Sequence, residues 1–253
     1  MPDRVILKLG GSVITEKSGP CRVNRNQLAE ISRVVAGRAA VPLTLIHGAG
    51  SCGHPQAARY RIQEGVDGSN RGGIAVTHAA VAGLNRAVVQ ALRREGVEAM
   101  GFHPLHLCVA RDGRIVSFPL EPLERLSDLG ITPVLHGDVV ADRARGASIV
   151  SGDQLVTFLA AALRVARVGI ATDVKGVLGS AGEVVPRLDA ASARQLSIGG
   201  SVARDVTGGM KAKVEELLRL ASHGIESHIF HVSRIGAFLD GKDHGGTVIG
   251  RRE

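Results

Sequence analysis

Of the 31 basic residues in this chain only six are lysine, and they do not scatter. Lys8, Lys17, Lys175, Lys211, Lys213 and Lys242 stand near glycine-rich turns, while arginine supplies the charge elsewhere. A compact ammonium group is a point charge suited to phosphate, so their placement points to anion chemistry. Lys8 opens "KLGGS" (8–12). There Gly10 and Gly11 let the backbone turn so that successive N–H groups, up to Ser12, face an anion, although Gly-Gly after a strand is by itself also an ordinary tight turn.

A second glycine run, "HGAGSCGHPQA" (47–57), places Gly48, Gly50 and Gly53 around Ala49 and Ser51 and closes on His54. Pro55 fits the first turn of a helix whose N-terminus faces the same anion. Cys52 as a nucleophile needs a base and a depressed pKa, and no neighbouring residue supplies either. A metal needs more ligands at the right spacing. "HPLHLC" (103–108) is the other cluster, and packing accounts for His103, His106 and Cys108 more simply.

"SGDQL" (151–155) reads as a capping box in which Ser151 and Gln154 open a helix. Capping leaves Asp153 unexplained, and a carboxylate in that first turn can orient lysines from other loops. "ATDVKGVL" (171–178) brings Thr172 and Asp173 to the end of a strand, where open parallel sheets place ligands. "DVTGGMKAKV" (205–214) starts a helix at Gly208 and Gly209 with Lys211 and Lys213 in its first turn. Cations there oppose the helix dipole, so an anion beside them is the better explanation. These turns together describe a site for several phosphates. None is a Walker A loop or a G-x-G-x-x-G fingerprint.

The elements that must position these groups follow from periodicity. Short apolar runs predict strands at 4–9, 43–46, 98–102, 132–136, 167–171, 227–232 and 246–250. Between them, helical periods begin at the N-cap Asn24 and end at Gly96 and Gly224. The alternation predicts an α/β fold, a mainly parallel sheet covered on both faces. "LCVARDGRIVSF" and "GDVVADRARGASIV" read as hairpins. One continuous sheet is expected, as a single domain over 1–253 with an N-terminal lobe to about residue 165 and a C-terminal lobe after it.

Composition narrows the class. The net charge is +7, but the cations are dispersed and aromatic residues are 2%, so no nucleic-acid partner is expected. Arg164 and Arg167 interrupt the longest apolar stretch, which argues against a membrane span. The N-terminus runs straight into a strand without a leader pattern. Cys21, Cys52 and Cys108 are odd in number and widely spaced, which predicts free thiols in a reducing cytoplasm.

The order "ILKLGGSVITEK", "HGAGSCGHP", "HGDVV", "SGDQL", "ATDVKGV", "DVTGGMKAKV" and "GTVI" resembles the amino-acid-kinase superfamily over nearly the whole chain, and within it is similar to the isopentenyl phosphate kinases. The resemblance implies an open αβα sandwich, a homodimer, ATP and Mg²⁺ as cofactors, and phosphoryl transfer to a small-molecule prenyl monophosphate in the cytoplasm. By the same resemblance Lys8, Lys17 and Lys213 stabilise the transferring group, Asp153 organises them, and His54 completes the catalytic set. The nucleotide falls to Lys8, Gly10, Gly11, Ser12, Gly50, Thr172, Asp173, Gly208, Gly209 and Lys213, and the acceptor to Ala49, Gly50, Gly53, His54 and Gly152. Ala49, Cys52 and Lys175 depart from the family pattern, which is commonly glycine, aromatic and acidic at those places. The apolar residues Ile74, Val76, Ala79, Ala80, Gly83, Leu84 and Val88 predict either a pocket wall or ordinary core. A fosfomycin-kinase-like phosphonate kinase and a non-catalytic ATP-binding regulatory module are the alternatives.

Overall fold

The computed structural model describes residues 4–16, 21–179, 181–198 and 208–251. The first half contains β1 (Val5–Leu9), α1 (Gly11–Ile14), α2 (Arg25–Ala36), β2 (Leu43–His47), α3 (Gly50–Arg59), α4 (Gly72–Arg94), β3 (Ala99–Gly101), α5 (Pro104–Leu107), β4 (Val109–Arg111), β5 (Arg114–Ser117) and α6 (Glu121–Asp128). The second contains β6 (Thr132–His136), β7 (Asp138–Asp142), β8 (Gly146–Val150), α7 (Gly152–Leu163), β9 (Arg167–Thr172), β10 (Arg187–Leu188), α8 (Ala190–Ile198), α9 (Gly208–Ser222), β11 (Ser227–His231), α10 (Ile235–Leu239) and β12 (Thr247–Ile249).

The central layer is an eight-stranded sheet in the order β10-β12-β11-β9-β1-β2-β6-β3. All its pairings are parallel except β11 with β12. β1, β2 and β9 are buried almost throughout because helices cover both faces, as in a parallel sheet of this kind. The period of two sorts the strand residues. Val5, Leu7 and Leu9 join α2, α4 and α10 in one core, whereas Ile6 faces α6, α7 and α9 in the other. Lys8 shares the face of Ile6, so its side chain emerges under α7 and α9.

Both expected hairpins form, but outside the main sheet. β4 and β5, and β7 and β8, pair antiparallel, and β4 joins β7 in a separate four-stranded sheet. Asp112 and Gly113 both have positive φ (52° and 75°), which gives the β4–β5 turn a twist matched to its strands.

Helix ends follow local chemistry. Asn24 Oδ1 accepts from Gln27 N, and Gly96 and Gly224 (φ 85° and 79°) close α4 and α9. Three expectations need correction. The capping box at Ser151 is half made: Ser151 Oγ accepts from Gln154 N, but the Gln154 side chain instead accepts from Ile115 N and donates to Gly113 O. Pro55 lies inside α3, which already begins at Gly50. Cys21 and Cys52 are joined in a disulfide and Cys108 alone is free, so odd, distant cysteines did not mean unpaired ones.

The 74–92 segment also divides. Leu84 and Val88 are buried core, while Val76, Ala79 and Gly83 face solvent, so these residues do not form one wall. Among the described residues no helix is long and apolar enough to cross a membrane.

Candidate functional site

At the C-terminal end of the central strand, Lys8 Nζ donates to Asp153 Oδ1 at 2.7 Å. The same carboxylate accepts from Lys213 Nζ at 3.2 and 3.1 Å through its two oxygens. Each group arrives by a different route. Lys8 is fixed by β1 between β2 and β9; Asp153 sits in the first turn of α7, capped by Ser151; Lys213 descends from α9, which packs on α7. Thr157 Oγ1 bonds to the carbonyls of both Asp153 and Glu216, coupling the two helices beside the site.

Burial lowers the Lys8 pKa to about 8, against the opposing pull of Asp153. Burial alone would raise the Asp153 carboxyl, but Lys8 and Lys213 outweigh it and hold the group below the usual carboxylate range. Two positive groups around one carboxylate leave a net positive, partly desolvated spot suited to a transferring phosphoryl group.

Beside this spot two glycine loops touch. A Cβ on Gly11 would lie 2.5 Å from the backbone of Gly50, and one on Gly48 would lie 2.8 Å from Gly11 N. Close approach therefore requires glycine here independently of any anion. Gly10 N donates to Ala171 O, so the N–H groups this loop can offer a phosphate are those of Gly11 and Ser12. Gly50 adopts φ +53°, and Thr15 Oγ1 braces the loop by accepting from Ser51 N and donating to Gly11 O. Ala49 has φ −71°, where a side chain is unstrained.

His54 is exposed on α3; in the first turn of that helix Ser51 N is taken by Thr15 Oγ1 and Cys52 N by Ala49 O. Gly53 N donates to Ala49 O, and a Cβ there would meet Val81 at 2.5 Å, so this glycine seats α3 on α4. Gly152 lies against Lys8 Cε and His47 O, at 3.1 and 3.2 Å from where a Cβ would stand.

On the other side of Lys8, Thr172 ends β9, and its hydroxyl bonds to the carbonyls of Val174 and Phe230, setting the turn that carries exposed Asp173 and Lys175. Gly208 and Gly209 open α9; Lys211 is exposed where Lys213 turns inward. Lys17 lies outside the described residues.

The residue pattern did not reveal the histidine-rich floor. His47 and His136 end the paired strands β2 and β6 and stack at 5.4 Å, fully buried. Each ring places Nδ1 on the carbonyl of the following residue, so Nδ1 carries the proton and Nε2 accepts. Asn85 then donates to His47 and His103 to His136. Burial takes His47 down to about 4 and His136 well below its usual value, keeping both neutral. His78 donates to Asp138, whose carboxylate also accepts from the N–H groups of Leu105 and Val139. Burial pushes the free Cys108 thiol up to about 12, as an inert core group. Among the described residues no cluster of His, Cys, Asp or Glu is arranged to hold a metal.

The amino acid kinase family matches residues 3–231. The chain is similar to isopentenyl phosphate kinase of Haloferax volcanii, at 40% identity over 247 residues, covering 97% of this chain and 98% of that protein. It is 36% identical to isopentenyl phosphate kinase of Methanothermobacter thermautotrophicus, covering 97% and 98%. An X-ray structure of isopentenyl phosphate kinase superposes with a TM-score of 0.86 at 33% identity, covering 97% of this chain and all of that one.

Proposed function

The chain belongs to the amino acid kinase family, and from that premise we propose that it moves the γ-phosphoryl group of ATP to isopentenyl phosphate, giving isopentenyl diphosphate and ADP. The observation that carries this reading is the part-buried Lys8–Asp153–Lys213 set beside two mutually packed glycine loops. A phosphate monoester is already largely ionised near neutral pH, so its oxygen attacks without a general base. The obstacle is repulsion between two anions, which positioning and fixed positive charge overcome.

The residues divide by side. Gly11 and Ser12, with Thr172, Asp173, Gly208 and Gly209 of the C-terminal lobe, hold ATP. Ser51, Cys52 and Gly53 spend their N–H groups on Thr15 and Ala49, so the N–H groups of Ala49 and Gly50, with Gly152 and His54, hold the acceptor phosphate in the N-terminal lobe. Lys8 and Lys213 bracket the moving group as the bond to the ADP oxygen lengthens and the bond to the acceptor oxygen forms. Asp153, held ionised and occupied by two ammonium groups, sets their spacing and is not a base. That occupation also removes it as a metal ligand, so Mg²⁺ belongs here with the ATP phosphates as part of the substrate.

We further assign a homodimer, supported by β3 at the sheet edge with Met100 46% exposed, and tested by sedimentation. Purified protein assayed with ATP against isopentenyl phosphate, fosfomycin and N-acetylglutamate tests the function. Turnover confined to isopentenyl phosphate is expected, and preference for either other acceptor rejects it.

A further inference from the structure

The Cys21–Cys52 disulfide joins two pieces of the acceptor side. Cys52 is the third residue of α3, buried, two positions before His54. Cys21 is exposed and begins a segment that doubles back on the exit of α1: Glu16 N donates to Arg22 O, Thr15 bridges Val23, and Asn24 N donates to Ile14 O. This strap therefore meets the acceptor loop through two fasteners, the hydrogen bond from Ser51 N to Thr15 Oγ1 and the disulfide one residue later. The chain entering α3 just before these fasteners holds Gly48 and Gly50, the latter at φ +53°, so the backbone there is weakly restrained by its own sterics.

We propose that Cys21 and Cys52 are a reversible thiol-oxidation site that sets how tightly the acceptor phosphate is bound. The proposal rests on the reading of residues 49–54 as the acceptor cradle. An external dithiol attacks the sulfur of Cys21, the exposed residue of the pair, and the Cys52 sulfur leaves as a thiolate and takes up a proton. The second thiol of the reagent then displaces Cys21. Two electrons and two protons pass to the protein, and the reagent leaves as its own disulfide. A low-molecular-weight disulfide reverses the exchange. In the oxidised state the cradle is preorganised; in the reduced state the acceptor must order it on binding.

The full chain is poised with oxidised glutathione or with dithiothreitol, then denatured, alkylated and weighed. One adduct, on Cys108, is expected after oxidation and three after reduction. Reduction raises KM for isopentenyl phosphate by about tenfold while KM for ATP holds. Cys21→Ser shows the reduced KM under both conditions. Three adducts in the oxidised sample, equal acceptor KM in both states, or Cys21→Ser with the oxidised KM overturns the proposal. Hydrogen exchange over 48–54 reads the tether without substrate: faster exchange on reduction supports it and unchanged exchange refutes it. Absence of isopentenyl phosphate turnover in both states counts against the substrate assignment alone.

Discussion

Lys8 and Asp153 lie 145 residues apart in the chain, yet the ammonium group of one donates to the carboxylate of the other across 2.7 Å. Lys213, 60 residues further on, occupies the same carboxylate. The lysines repel one another and neither is well solvated, so Asp153 is what allows both to stay charged at one place. The arrangement is thus an electrostatic clamp built before any substrate arrives.

Asp153→Asn keeps the shape and removes the charge. It is expected to lower kcat on the order of 10²–10³-fold and to lower the melting temperature, since two ammonium groups lose their buried counter-charge. Steady-state kinetics with a thermal melt on the same preparation decide it; unchanged kcat contradicts the role.

Activity depends on a charged Lys8. With its pKa at about 8 in the free enzyme, kcat/KM is expected to fall as pH rises through that value. Stability moves the other way. Between about 8 and the ordinary 10.5 the unfolded chain holds this proton more tightly than the folded one, so the Lys8 contribution stabilises the fold as pH increases. A pH–rate profile and pH-dependent denaturation should show the opposite slopes.

His54→Ala is expected to lose about 10²-fold in kcat/KM for the acceptor, the cost of removing one placed donor. His54 is exposed, so the melting temperature should hardly change. Wild-type kinetics in the purified variant would remove His54 from the site.

The contact between the glycine loops predicts a contrast within one residue type. Gly11→Ala drives a Cβ to 2.5 Å from Gly50 Cα, where no side chain can yield, and should cost both activity and stability. Gly83→Ala meets nothing within 4 Å on α4 and should stabilise by about 0.5–1 kcal/mol through helix propensity. Equal effects in denaturant titrations would refute the contact.

The buried imidazoles make the fold acid-sensitive. His47 must stay neutral until about pH 4 when folded but takes up a proton near 6.5 when unfolded. Its cost therefore grows as pH falls through that window and reaches about 3 kcal/mol. His136 and His228 shift in the same direction. His47→Asn should flatten the loss of stability between pH 6.5 and 4.

Much of the architecture was legible because its causes are local. Apolar runs such as "VILKL" and "TPVLH" became strands; Asn24, Gly96 and Gly224 ended helices; Asp112-Gly113 made a hairpin. What was misread had local signals pointing one way and distant partners another. Gln154 has the spacing of a capping box, but two backbone groups of the β4–β5 turn claim its amide. Composition left Leu84 and Val88 open between pocket wall and core, and packing placed them in the core. His78, His103 and His136 carry no shared motif and meet only through packing.

The amino-acid sequence by itself determined the alternation of strands and helices, the glycine turns at the strand ends, and hence the family and a phosphate-transfer chemistry. Backbone sterics and hydrophobic period act over a few residues, so a linear reading captures them. Tertiary structure alone decided that Asp153 stands between Lys8 and Lys213, that Gly11 is a glycine because Gly50 lies against it, and that Cys21 meets Cys52. These depend on which faces are buried together, and that is settled by the packing of the whole chain.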